Sequence, residues 1–587
     1  MADDDVHSSP APDTSRRGFF KIGGAALAGA VVGGAGGAAI GASVAAGARD
    51  GFADEPDPFA ALTPRSEPGF DHIVVVMGEN RSFDNLLGYL YSKENLPAGE
   101  KFEGLAFGTH SNTASDGTVV EAHVYEGETD RIMSHPDPDP GEEYPHVNTQ
   151  IFGTVDPKSN AELFVDQMEA PYNAPTNGEK ASMSGFLQDY IINFRRLRKG
   201  KEPTVDEAKH IMGSFSPAML PVLSTLAAEF AVFDHWYAAV PSQTFCNRSF
   251  FHASTSHGFV TNQAGGGYDK WIDAPAAPTV FNRLEEKKLD WKIYIDKLQL
   301  VSFTGMLHAP VLEKYWRTDH FGTMEDFYAD VKDGKLPAYA FIEPRMVYDH
   351  NDFHPPFGSP RESFVEGEEV FDSAISDVRA GDLLIHEIYE AVRTSASPTG
   401  SNAVNTLLLI TFDEHGGCYD HLPPPAATKP TKDTGAGEMG FTFDRLGCRV
   451  PAIAVSAYTK RGTIIHDEMH HGSVTATLSR LHGLKPLNDR DASANTLFNV
   501  VNLDQPRHPA DWPTTKPSYT PPNPEEAVPQ PDLKEHLKPL TPPARGLLGL
   551  LLARYGKPGE KEPETFADAY KLLHEHGEEL FGPAKGS

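Results

Sequence analysis

The sequence is short of cysteine, of positive charge and of internal repetition. Only three cysteines occur in 587 residues, Cys246, Cys418 and Cys448. Three thiols exclude a disulfide-stapled framework; a single Cys418–Cys448 bridge stays open, and buried free thiols are the default expectation. Lys and Arg number 51 against 82 Asp and Glu, giving a formal net charge of −31. Such a surface repels nucleic acid and anionic lipid, so no nucleic-acid partner is expected and membrane contact is at most peripheral. The plainer effect of that charge is solubility. No repeat period is found, which excludes a solenoid or propeller.

One uncharged run stands out, Ile22 to Ala46, and it is built of Ala, Gly and Val with hardly any Leu. Ser15-Arg16-Arg17-Gly18-Phe19-Phe20-Lys21 precedes it and Ala46-Gly47-Ala48 closes it. Twin arginines before a weakly apolar stretch and an A-x-A site read as a signal for the twin-arginine export machinery. The run is long enough to span a bilayer, but its glycine content makes stable insertion poor. The expectation is export over residues 1–48, a linker at 49–67, a catalytic body at 68–504, and a Pro-rich C-terminal extension with short helices at 505–587. The protein is then secreted, periplasmic or held at the cell surface.

Within the body, short apolar runs predict buried strands: Ile73–Met77, Trp291–Ile295, Tyr339–Ile342, Leu407–Phe412 and Ile453–Ser456. Helical periodicity lies between them, at Val370–Arg393 and at Val474–Leu484, the latter with Ser473 as N-cap. Strands alternating with helices predict an α/β fold with a largely parallel central sheet sandwiched by helices.

Such sheets carry their sites at the carboxyl ends of strands. Two of the predicted strands run directly into oxygen-rich pairs, Glu79-Asn80 and Asp413-Glu414. If those strands are neighbours, three carboxylates converge, and a divalent cation is their natural occupant. Read singly, each pair is equally a helix cap or a solvated loop end. The segment Pro241-Ser242-Gln243-Thr244-Phe245-Cys246-Asn247-Arg248 offers a hydroxyl, an amide and a guanidinium. Thr244 becomes a nucleophile towards phosphorus when a metal lowers its pKa, and Asn247 and Arg248 suit phosphoryl oxygens. Cys246 is a rival nucleophile, although thiolates suit acyl chemistry better. His466 and His470 have zinc-like spacing, but Asp467 stands where the metalloprotease pattern needs Glu.

Taken in order, Glu79-Asn80-Arg81-Ser82-Phe83-Asp84, Pro241-x-x-Thr244-x-x-Asn247-Arg248, Ile342-Glu343-Pro344-Arg345 with His354-Pro355, Asp413-Glu414-His415-Gly416-Gly417, Phe443-Asp444-Arg445-Leu446-Gly447-x-Arg449-Val450-Pro451 and His471-x-Ser473-Val474 form a series. It resembles the phosphoesterase family that holds bacterial phospholipases C, plant non-specific phospholipases C and a group of acid phosphatases, with a sheet of the alkaline-phosphatase type. The resemblance implies that Glu79, Asn80, Asp413, Glu414 and Thr244 hold one or more divalent ions (Ca, Mg or Zn) and that Thr244 is the nucleophile. It implies that His354 and His471 bind the phosphoryl group or protonate the leaving oxygen. The implied substrate is a phospholipid or a small phosphate ester: a phosphodiester such as phosphatidylcholine, alternatively a phosphomonoester, with a non-catalytic binding protein on the same fold as the remaining reading. Two departures are visible. Family members often carry Asp-Pro-Gly-His, whereas Asp139-Pro140-Gly141 is followed here by Glu142, with His135 and His146 nearby; and Gln243 stands where many members have Pro.

Overall fold

The computed structural model describes residues 57–582, apart from 128–131, 177, 298, 348–349, 356–362, 366–367, 371–376, 519–539 and 578–579. The expected export signal and residues 49–56 of the expected linker lie outside the described residues. Eight strands form one sheet. In chain order they are β1 (His72–Gly78), β2 (Ala231–Phe233), β3 (Trp291–Ile295), β4 (Phe321–Thr323), β5 (Tyr339–Glu343), β6 (Thr406–Phe412), β7 (Ala452–Val455) and β8 (Thr463–Ile465). Their order across the sheet is β8-β2-β7-β6-β1-β5-β3-β4. Every pairing is parallel except those of β7, which runs against both β6 and β2. The expected α/β fold with a largely parallel sheet and flanking helices is therefore present.

The five apolar runs form strands because each is buried along nearly its whole length, β1 and β6 most completely. A strand covered on both faces has no use for polar alternation. The register of β1 on β6 brings the two oxygen-rich strand ends together. Gly78 pairs with Phe412, so Glu79 and Asp413 leave the sheet side by side.

Helices depart from the sequence-based expectation in detail. The helix expected from Val370 is described as Val378–Thr394, started by Asp377, whose side chain accepts from Arg379 N. Its buried face carries Val378, Ile385, Ile388, Tyr389 and Val392, while Leu383 is only half-buried. The helix expected after Ser473 spans Gly472–His482 with His471 at the cap position. Ser473 lies inside it, and its hydroxyl accepts from His470 N at 3.2 Å. The C-terminal leucines lie in the helix Pro542–Tyr555, where Leu547, Leu548, Leu550 and Leu551 are buried. Phe245, one residue after Thr244, packs over Gly546 of that helix. This helix, one of the short helices expected in the C-terminal extension, closes the core beneath the Thr244 segment. All three cysteines are free and buried, so the Cys418–Cys448 bridge is absent. Among the described residues, no helix is long and apolar enough to cross a membrane.

Candidate active site

The carboxyl ends of β1 and β6 meet as their register requires. Asn80 N donates to Asp413 Oδ1 at 3.1 Å, and Glu414 N donates to the same oxygen at 2.8 Å. Asn80 sits at φ +56, where the chain turns sharply to deliver its side chain inward. Gly416 faces this turn at φ +60, and a Cβ there would overlap the Asn80 carbonyl oxygen, so glycine alone fits. Glu79, Asn80, Asp413 and Glu414 are all fully buried.

Buried oxygens normally find donors. Here both carboxylate oxygens of Glu79, Asn80 Oδ1 and Glu414 Oε1 have no hydrogen-bond partner. Glu79 Oε1 lies 2.6 Å from Arg248 Nη2, an ion pair without hydrogen-bond alignment. Burial and neighbouring carboxylates push the Glu79 and Glu414 carboxyls well above their usual range, and burial does the same, less strongly, for Asp413. Buried oxygens without donors are what a hard divalent cation would satisfy; Glu79, Asn80 and Glu414 offer them, while Arg248 now stands against Glu79 and Asp413.

The helix Thr244–Ala253 crosses this pocket. Arg248 is buried and reaches Glu79 and, through Nε at 3.3 Å, Asp413 Oδ2, with its Nη1 left unpartnered. Thr244 is one turn earlier on the same helix face, in the first position of the helix, and is 3 % exposed. The amino end of the helix adds a favourable field for an anion. Cys246 is fully buried, and burial pushes its thiol far above the usual range, which removes it as a nucleophile.

Asn247 does not face the pocket. Its Oδ1 accepts from Val240 N at 3.0 Å, and its Nδ2 is shared among the carbonyls of Val240, Ser242 and Gln243. With both amide hydrogens spent on the loop, Asn247 shapes the turn before Thr244 rather than binding phosphoryl oxygens.

The two histidines are placed by their neighbours. His471 Nε2 donates to Asp413 O at 2.5 Å, and its Nδ1 accepts from Trp236 Nε1 at 3.5 Å. His354 Nδ1 donates to Pro355 O at 2.6 Å, and its Nε2 accepts from Asn80 Nδ2 at 3.0 Å. Burial lowers both rings to about 4, so both are neutral at pH 7. Neither ring keeps a free N–H for a leaving oxygen. In this geometry they orient the segments that carry Asp413 and Asn80.

Glu142 occupies the position where a helper histidine was missed. Its Oε2 accepts from Asn80 Nδ2, and its Oε1 accepts from Gln243 Nε2 at 3.1 Å. Gln243 Oε1 also accepts from Asn262 N at 2.9 Å, so its amide ties Glu142 to the segment that follows the Thr244 helix. His146 pairs with Asp189 at 2.8 Å and His135 stacks on His210, so neither takes the helper place. The only sequence signal for Glu142 was the broken Asp-Pro-Gly-His pattern. A cavity of about 730 Å³ opens beside it, lined among others by Asp139, Glu142, Gln243 and Tyr268.

Surrounding motif residues serve the scaffold. Arg449 is buried between Asp84 at 3.0 Å and Asp420 at 2.9 Å, so that acidic group already has its cation. His466 pairs with Asp234 at 2.9 Å, and His470 ends a two-residue strand rather than sitting on a helix, which removes the zinc-protease pattern.

The sequence profile of the Phosphoesterase family matches residues 70–485. Non-specific phospholipase C3 of Arabidopsis thaliana is 34 % identical over 76 % of this chain and 75 % of its own length. Phospholipase C B of Mycobacterium tuberculosis is 23 % identical over 51 % and 58 %. A solved protein in the alkaline phosphatase superfamily from Vibrio parahaemolyticus shares 12 % identity over 48 % of this chain and 65 % of that one, with a TM-score of 0.26, a likeness too loose to carry weight. The profile spans both strand ends, the Thr244 helix and His471, and the chain accordingly belongs to the phosphoesterase family, whose members hydrolyse phosphoric esters.

Proposed function

We propose that the protein is an exported, metal-dependent phospholipase C that works through a phospho-threonine. The observation that carries this reading is the set of unpartnered buried oxygens on Glu79, Asn80 and Glu414, crossed by the helix that bears Thr244. Glu79, Asn80, Asp413, Glu414 and Thr244 would hold a divalent ion, which would serve as a Lewis acid lowering the pKa of an attacking hydroxyl. Thr244 Oγ1 would attack phosphorus as the bond to the diacylglycerol oxygen breaks; the hydroxyl proton would pass through solvent to the departing oxygen, releasing diacylglycerol and leaving the phospho-headgroup esterified to Thr244. Arg248 Nη1 and the helix amino end bind the phosphoryl oxygens. Water then hydrolyses the phospho-threonine. His354 and His471 act as positioning residues for Asn80 and Asp413.

Similarity to the Arabidopsis non-specific phospholipases C supports a phosphodiester of a glycerolipid as substrate. Arg16 and Arg17 support delivery outside the cytoplasm by the twin-arginine route. The test is to assay the purified enzyme on phosphatidylcholine, p-nitrophenylphosphorylcholine and p-nitrophenyl phosphate. Release of diacylglycerol and turnover of the choline ester are expected. Turnover of p-nitrophenyl phosphate alone would make it a phosphomonoesterase, and none with any of the three would make it a binding protein.

A further inference from the structure

Beside the first cation pocket lies a second group of ligand-type atoms. Asp139, Glu142 and His354 are all buried, and one ligand atom from each lies within 4.8 Å of the others. Asp139 Oδ1 has no hydrogen-bond partner. Arg248, the cation of the first pocket, is taken up by Glu79 and Asp413. His354 is held in the tautomer a metal needs: Nδ1–H is spent on the Pro355 carbonyl, so the Nε2 lone pair faces the group. That lone pair now accepts only from the neutral Asn80 amide, a donor that a cation can displace. Glu142 is tied to the first pocket through Asn80, whose Nδ2 donates to Glu142 Oε2 as well as to His354 Nε2. The neighbouring Glu414 charge adds to the burial that holds the Glu142 carboxyl above its ordinary range, a repulsion that a cation would relieve.

We propose that Asp139, Glu142 and His354 form a second divalent-cation seat next to the Glu79/Asn80/Asp413/Glu414 pocket, with Glu142 the carboxylate shared by the two. The proposal rests on the first pocket being a cation site. The two seats differ in chemistry. The first offers oxygen alone and suits Mg²⁺ or Ca²⁺, whereas one imidazole with two carboxylates suits a transition-row ion such as Mn²⁺ or Zn²⁺. The cavity lined by Asp139 and Glu142 gives the ion its way in. A pair of cations there would clamp the phosphoryl group from two sides.

The test is to strip the full chain with a chelator, reload it with excess Mn²⁺, remove free metal and measure bound Mn per chain by elemental analysis. Two ions are expected in the wild type and one in the variant Asp139→Asn/His354→Gln. A wild type that binds one ion, lost in Asp413→Asn but kept in the double variant, overturns the second seat and leaves the proposed function standing. Two ions in both wild type and double variant overturn the assignment to these residues, and no ion in the wild type overturns both readings. Should the double variant fail to fold by circular dichroism, electron paramagnetic resonance of the Mn-loaded wild type decides. A spin-coupled pair is expected, and isolated-ion spectra overturn the proposal.

Discussion

Replacing Arg248 by Met tests the charge balance of the pocket directly. The guanidinium is buried and within 2.6 Å of Glu79 and 3.3 Å of Asp413, both themselves buried. Methionine keeps much of the stem and removes the charge. In the metal-free chain the substitution leaves two buried carboxylates without a countercharge. Breaking a buried pair in this way costs about 3–5 kcal/mol. The unfolding entropy of a cooperative unit of roughly 500 residues is about 1 kcal/mol per degree, so the melting temperature should fall by about 3–5 °C. With a divalent ion in the pocket, a second cation shares those same carboxylates and the loss should shrink. Thermal melts of wild type and Arg248→Met, each with chelator and with saturating Ca²⁺ or Mg²⁺, make the comparison. An equal loss with and without metal would refute this reasoning, because the ion would then not share Glu79 and Asp413 with Arg248.

Thr244→Val keeps the shape and deletes the hydroxyl, so turnover should drop on the order of 10³-fold or more. Thr244→Ser should keep part of the activity and Cys246→Ala nearly all of it. Near-native turnover by Thr244→Val, or absence of phosphate on the Thr244 peptide after acid quench and mass spectrometry, would end the phospho-threonine mechanism. Stability should also depend on pH in a definite direction. The Glu79, Glu142 and Glu414 carboxyls are held well above their ordinary values, mainly by burial, so the metal-free fold binds more protons than the unfolded chain. Its stability should therefore fall as pH rises above the ordinary glutamate value of about 4.3 through the raised ones. A metal-free melting temperature that is flat or rising from about pH 5 to pH 8 would contradict the sign worked out from linkage. Finally, changing Arg16 and Arg17 both to Lys should retain the uncleaved precursor inside the cell, and normal export of that variant would point to another route.

Strands β1, β3, β5, β6 and β7 were legible in the sequence, because a strand buried on both faces must be an unbroken apolar run. So was the placing of Glu79-Asn80 and Asp413-Glu414 at strand ends, where the sheet puts its chemistry. Strands β2, β4 and β8 are three residues each, too short to show a period, and only pairing with neighbours makes them strands. Short helices in the C-terminal extension were legible, but the docking of one of them under Phe245 was not, since packing partners far apart in sequence leave no local mark. The same holds for the site. Asn247 and Arg248 read alike as polar groups near Thr244, yet the turn at 240–243 consumes the hydrogens of one and the carboxylates of Glu79 and Asp413 engage the other. Glu142 reads only as a missing histidine, and its place beside Asn80, Gln243 and Glu414 exists once segments 62, 101 and 272 residues apart are folded together. Local sequence sets which side chains carry charge and which runs are buried, whereas tertiary contact decides which charges must share one another's company and so need a cation.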